Sequence, residues 1–152
     1  MSGHRSSPGS GPCGVLVVED DPDHVVLIEA AFRYGDFPCA LHVVGSSEEA
    51  MDYFLGRYPF DNRLRHPLPD VVILEIGLPG MDGLGLLQWL QERDEPWART
   101  PVVVFSSWHD REMARRAATL GALEFKVKPS DFADLAGAVR RALKRRRRYD
   151  IA

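Results

Sequence analysis

Long hydrophobic runs, cysteine and repeats are what this sequence has least of. No apolar stretch approaches the ~20 residues needed to cross a bilayer, so no membrane span is expected. The opening MSGHRSSPGSGPC is Gly/Ser/Pro-rich and has no hydrophobic segment. It reads as a disordered leader over residues 1–13 and not as a secretory signal. The chain has only two cysteines, Cys13 and Cys39. Their spacing suggests neither a metal site nor a redox pair, and with no export signal they are expected to be free thiols in a reducing cytoplasm. Between Gly14 and residue 145 no repeat or low-complexity segment interrupts the chain, which reads as one domain.

What is present suffices for a core: 152 residues, 45% of them hydrophobic. The net charge of −3 hides an asymmetry. Residues 1–139 carry 12 Lys+Arg against 21 Asp+Glu, whereas residues 140–148, RRALKRRRR, carry seven positive charges and no negative one. A basic end over residues 146–152 could touch nucleic acid or an acidic partner, or could be the solvated end of a helix whose dipole it complements. It lacks interleaved aromatics until Tyr149, so any nucleic-acid affinity should be non-specific and salt-sensitive.

Apolar runs and helical periodicities alternate five times along the chain. Strand-like runs are Gly14–Val18, Ala40–Val44, Val71–Leu74, Pro101–Phe105 and Ala122–Val127. Helical patterns follow each: Val25, Ile28 and Phe32 after Pro22; Ala50, Met51, Phe54 and Leu55 after Ser46 or Ser47; Leu84, Leu87 and Leu90; the Arg/Ala-rich residues 110–120; and Phe132, Leu135, Val139 and Leu143 after Ser130 as a cap. A polar connection, RYPFDNRLRHPLP, precedes the third strand. Continuous apolar strands alternating with helices predict an α/β fold, a doubly wound five-stranded parallel sheet covered on both faces. The carboxyl ends of the strands then form the binding edge.

That edge gathers Glu19, Asp20 and Asp21 from the first strand, Glu75 from the third, Ser106 from the fourth and Lys128 from the fifth. Converging carboxylates invite a hard divalent cation such as Mg²⁺. Hydroxyl, ammonium and Mg²⁺ together are suited to holding the oxygens of a phosphoryl group.

The segments VLVVEDD, DVVILEIGLPGMDG, PVVVFSS and GALEFKVKP resemble the receiver domain of bacterial response regulators, a (βα)5 flavodoxin-like fold. VEDDPDHVVLIEAAF and the insert before the third strand are similar to single-domain regulators of the phytochrome-associated kind. The resemblance implies that Glu19 and Asp20 form the acid pair for Mg²⁺, with Gly77 supplying a backbone carbonyl. It implies that Ser106 is the switch hydroxyl, Lys128 the phosphoryl-contacting lysine and Phe125 the switch aromatic. Asp82 and Gly83 match the turn into the third helix. Glu75 departs from the pattern, standing where the family has its phospho-accepting aspartate.

Glutamate is longer by one methylene, and a misplacement of ~1 Å can cost about 100-fold in an in-line transfer. Phosphotransfer to Glu75 is therefore expected to be lost or very weak. Its carboxylate could reach Lys128 and Ser106 and partly stand in for an aspartyl-phosphate. Alternatively the chain is an inert scaffold, or a pseudo-receiver regulated by Mg²⁺ or another ligand. A small phosphohydrolase-like enzyme is a rival class that Glu75 argues against, so no enzymatic activity is expected. The expected function is signalling through protein–protein contact, with a sensor histidine kinase or a downstream protein as partner. Trp108 could anchor such a partner or pack over its own loop, while His109 is too isolated to count as a ligand. Receivers often pair through the face of the fourth helix, fifth strand and fifth helix; here Arg111, Arg115 and Arg116 against Asp131 and Asp134 could support a homodimer with exchanged salt bridges.

Overall fold

Three aliphatic runs are buried along their whole length: β1 (Gly14–Val18), β3 (Val71–Leu74) and β4 (Val102–Ser106). Such strands have no polar face to show water and belong inside a sheet covered on both sides. The computed structural model, which describes residues 13–35, 37–108 and 110–151 (146–151 through their backbone alone), places them there. The sheet order is β2-β1-β3-β4-β5, with every neighbouring pair parallel. The more exposed β2 (Ala40–Val44) and the half-buried β5 (Glu124–Val127) form its edges.

Successive strand side chains alternate between two cores, as the two-residue period of a strand requires. Val15, Val17, Val71, Ile73, Val103 and Phe105 pack with Ile28 and Phe32 of α1 (Pro22–Tyr34) and with Leu135 and Val139 of α5 (Leu135–Ile151). Leu16, Val18, Val72, Leu74 and Val104 face α2 (Ser47–Leu55), α3 (Gly83–Gln91) and α4 (Arg111–Thr119) through Phe54, Leu86, Leu87 and Met113. The five rounds of strand and helix expected from the sequence are all present.

Local polar chemistry sets the helix starts. Asp21, Ser46, Asp82 and Asp110 each cap a helix by accepting a backbone N–H two or three residues on. At α2 the cap is Ser46, and Glu49 returns to accept from the Gly45 N–H at 2.6 Å. The C-terminus of α2 closes on Gly56, whose φ of +70° suits a residue without a Cβ.

Two expectations are corrected. Cys13 and Cys39 are joined in a disulfide and are not free. The parallel register pairs Gly14 with Ala40, so the residues preceding these two strands meet side by side. The last helix begins at Leu135, and Ser130 does not cap it. Instead the Asp131 carboxylate accepts the Val127 N–H and the Asp131 N–H donates to the Val127 carbonyl, both at 2.8 Å, which closes a turn before a short 3₁₀ segment, Phe132–Asp134. Asp131 and Asp134 therefore precede α5. The polar connection over residues 57–69 is tied to the end of α2. Arg63 donates to the Tyr53 and Phe54 carbonyls at the end of α2, both at 2.8 Å, and the Tyr53 hydroxyl donates to the Pro67 carbonyl at 2.9 Å.

Candidate functional site at the carboxyl ends of the strands

Glu19 follows β1, Glu75 follows β3, Ser106 ends β4 and Lys128 follows β5, so the sheet topology delivers four side chains to one edge. All four are buried, with 4%, 5%, 0% and 5% of their surfaces exposed respectively. Charged groups are this deeply buried only when paired. The Lys128 ammonium donates to Glu19 Oε1, to Glu75 Oε1 at 2.8 Å and to His24 Nδ1 at 2.9 Å. Three acceptors match the three protons of an ammonium. Since Lys128 can only donate, His24 accepts through Nδ1 and carries its proton on Nε2, which lies 3.5 Å from Asp21 Oδ2.

The second Glu75 oxygen is equally engaged. Oε2 accepts from the Ser106 hydroxyl and from the Gly77 N–H at 2.9 Å. The Ser106 oxygen in turn accepts the Trp108 N–H at 3.1 Å, which links the carboxylate to the loop after β4. Behind the site, Gly83 opens α3 directly against the end of β3. A Cβ on Gly83 would clash with the Glu75 carbonyl oxygen and lie 2.8 Å from Ile76 Cα, so glycine is needed for this approach.

The two glutamates divide their common lysine unequally. Burial pushes the Glu19 carboxyl above its ordinary range, opposed by the Lys128 hydrogen bond and by the Asp21 N–H. Burial acts on Glu75 in the same direction, but donors from Lys128, Ser106 and Gly77 outweigh it and hold this carboxyl below its ordinary range. Glu75 is the better-served anion because it has one more donor.

Of the residues anticipated from the sequence, Glu19, Glu75, Ser106 and Lys128 meet, and Gly77 joins them through its N–H. Asp20 does not: it is exposed and stands outside the cluster. Phe125 is half-buried and packs against the core beneath α2, α3 and α4. Trp108 is 50% exposed. On the anticipated pairing face, Arg111, Arg115 and Arg116 are exposed, with Arg115 paired to Glu112 of its own helix. Asp134 is committed to Lys126 at 2.7 Å and Arg141 at 3.1 Å, and Asp131 to Val127, so the acids proposed for exchange already have partners. His109, the leader before Cys13 and the side chains of residues 146–152 lie outside the described residues.

The residue not anticipated is His24. Its signal was position: it falls in the first turn of α1, five residues after the buried acid Glu19, where the helix entry crosses the strand ends. Glu19, His24 and Glu75 each offer a ligand atom, all within 4.8 Å of one another. This is not the all-oxygen set expected for Mg²⁺. One donor is an imidazole, Asp20 is not part of it, and the ammonium of Lys128 already lies among the three.

A five-stranded parallel sheet of this order, with acids, hydroxyl and lysine at its carboxyl edge, defines a signalling receiver. Residues 15–140 match the family model of the response regulator receiver domain, and the chain belongs to that family. Solved structures agree. The phosphorylated cyanobacterial phytochrome response regulator RcpA superposes with a TM-score of 0.72 at 25% identity, covering 86% of this chain and 90% of that one. The red-light response regulator RPA3017 of R. palustris gives 0.74 at 28% identity, covering 85% and 90%. The Mn²⁺-bound form of the regulator Rcp1 is 20% identical with a TM-score of 0.73, covers 85% of this chain and 92% of that one, and supports the fold. Among curated proteins, regulatory protein AtoC of Escherichia coli K12 is 28% identical over 129 residues, which are 85% of this chain and only 25% of AtoC. PrrA of Mycobacterium tuberculosis is 32% identical over 132 residues, 87% of this chain and 50% of PrrA. The chain thus spans between a quarter and half of these longer regulators. Among the described residues no helix is long and apolar enough to cross a membrane.

Proposed function

We propose that this chain is an atypical receiver that signals by protein–protein contact without accepting a phosphoryl group, Glu75 acting in place of the phosphorylated aspartate. The observation that carries the reading is the Glu75 carboxylate bonded at once to Lys128 and Ser106, the two residues that the family resemblance assigns to the phosphoryl group. The extra methylene supplies the reach. One carboxylate then satisfies the lysine and the switch hydroxyl together, and through Ser106 it bears on the Trp108 loop. The imitation is incomplete in charge, since a phosphoryl group brings nearly two negative charges and a carboxylate one.

On this reading the partner is a histidine kinase or a downstream protein of a cytoplasmic two-component pathway, and the chain performs no catalysis of its own. Pairing of two copies through α4, β5 and α5 is a secondary element of the proposal. It would rest on Arg111 and Arg116, because Asp134 and Asp131 are engaged within the chain.

Incubation with Mg²⁺ and a small phosphodonor, followed by intact-mass measurement, tests the proposal. The wild-type chain is expected to show no adduct, and Glu75→Asp is expected to gain the mass of one phosphoryl group. A stable adduct on wild-type Glu75 would overturn the reading. Glu75→Ala should also release the Trp108 loop and shift its fluorescence; an unchanged spectrum would remove the imitation and leave only a scaffold.

A further inference from the structure

The two edges of the sheet are finished differently. Along β5, Glu124 is bonded to Arg141, Lys126 is paired with Asp134, and the Val127 N–H is taken by Asp131. Charged side chains of this kind keep an edge from pairing with another chain. β2 reads Ala40-Leu41-His42-Val43-Val44 and runs in unbroken register with β1, without an acid, a lysine, an arginine, a proline or a bulge. Ala40 is exposed and Val43 is 41% exposed.

The pairing with β1 sets the direction of each backbone group of β2. The Ala40 N–H donates to the Cys13 carbonyl at 2.8 Å, and the Val44 carbonyl accepts the Glu19 N–H at 3.0 Å. Alternate residues of a parallel strand bond to the same neighbour, so Ala40, His42 and Val44 serve β1. Leu41 and Val43 turn their N–H and C=O groups to the open side, where nothing among the described residues meets them. The side chains of Leu41 and Val43 share the face of the sheet covered by α1, which itself exposes Val26 and Leu27.

We propose that the β2 edge docks a second copy of this chain, the two β2 strands pairing antiparallel about a two-fold axis at His42. In that register Leu41 of one protomer exchanges N–H···O=C bonds with Val43 of its partner, and Val43 does the same with Leu41. Every open backbone group of both edges is then used. A strand whose open positions stand symmetrically about its central residue is its own complement, as a two-fold contact requires. Burial and the charge of His66 hold His42 below its ordinary range, so the ring at the axis is uncharged at neutral pH. Charge also selects the direction. The carboxyl end of β2 leads into Glu48 and Glu49 in the first turn of α2. Its amino end follows Arg33 in the last turn of α1, and Arg140 donates to the Gly35 carbonyl in the same connection. Antiparallel pairing sets the acidic end of one protomer beside the basic end of the other, whereas parallel pairing sets like against like.

Sedimentation equilibrium of the full chain over a rising concentration series tests the pairing, and the mass should climb to twice that of the monomer. Val43→Lys places a charge on the open edge at an already exposed position. It should match wild type by circular dichroism and stay monomeric throughout. Arg111→Glu/Arg116→Glu, on the β5 side of the sheet, should dimerise as wild type does. Amide hydrogen exchange on the unaltered chain gives a second reading that no variant can confound. Leu41 and Val43 should pass from unprotected in dilute solution to protected in concentrated solution, while His42 and Val44 stay protected in both. A chain monomeric at every concentration, a dimer that persists in folded Val43→Lys, or freely exchanging Leu41 and Val43 amides in the dimer would each overturn the pairing. So would a dimer dispersed by the α4 charge reversals and not by Val43→Lys.

Discussion

At the scale of single residues, the pocket is an electrostatic compromise whose parts can be separated by pH. Glu75 is held below the ordinary 4.5 and Glu19 above it. A depressed carboxyl contributes stability that is fully present above its unfolded value and is lost as pH falls through the folded value. A raised carboxyl does the reverse: its contribution is present at low pH and is lost as pH rises from 4.5 through the folded value. Urea denaturation between about pH 7 and pH 3 should therefore show a shallower acid-side fall in Glu75→Gln and a steeper one in Glu19→Gln. Parallel curves for all three proteins would mean that neither carboxyl is perturbed. Lys128 binds the two acids together, and Lys128→Met leaves both buried without their shared cation. Breaking a buried ion pair from one side typically costs about 3–5 kcal/mol, so its urea midpoint should drop well below that of any surface Lys→Met control.

At the scale of elements, strand and helix order was legible because period-2 and period-3.6 apolar patterns report burial directly. Val71–Leu74 admits no half-exposed placement, and Ser46 or Ser47 followed by Glu48 and Glu49 signals a helix start before any packing is considered. The cluster was legible where a polar side chain ends a strand or follows it directly, as Glu19, Glu75 and Ser106 do. It was not legible at His24, whose approach depends on how α1 packs over the sheet, nor at Asp20, whose exposure depends on the bend after β1. The sequence marked the stretch over 57–69 only as a polar connection, and the guanidinium of Arg63 within it serves as a cap for α2. That role has a measurable size. Arg63→Ala strips hydrogen bonds from the Tyr53 and Phe54 carbonyls, each lost bond to a charged group costing about 1.5–3 kcal/mol where the carbonyl stays buried. Hydrogen exchange should accelerate across residues 52–68 while β1 and β3 keep their protection. Uniform acceleration, or none, would contradict a capping role.

At the scale of the whole molecule, the sheet separates two ends that should respond independently. The pocket lies at the carboxyl ends of the strands, and the Cys13–Cys39 link lies at their amino ends, where the Ala40 N–H also donates to the Cys13 carbonyl at 2.8 Å. Sequence spacing offered no hint of this link, because the cysteines are 26 positions apart, with the whole of β1 and α1 between them. Only the parallel pairing of β1 with β2 closes the distance. In the chain-entropy account, a link across a loop of this length stabilises by about 3–4 kcal/mol, chiefly by restricting the unfolded chain. For a domain of this size that corresponds to a fall on the order of 10 °C in Tm on reduction. Cys13→Ser should melt at the temperature of the reduced wild type and be insensitive to reductant. Its Trp108 fluorescence should match that of the unreduced protein, since the disulfide and the Glu75–Ser106–Trp108 contacts lie at opposite ends of the strands. Two free thiols by counting on the unreduced protein, or a melting temperature indifferent to reductant, would refute the stabilising link. A shift in Trp108 fluorescence on reduction would instead show that the two ends of the sheet communicate.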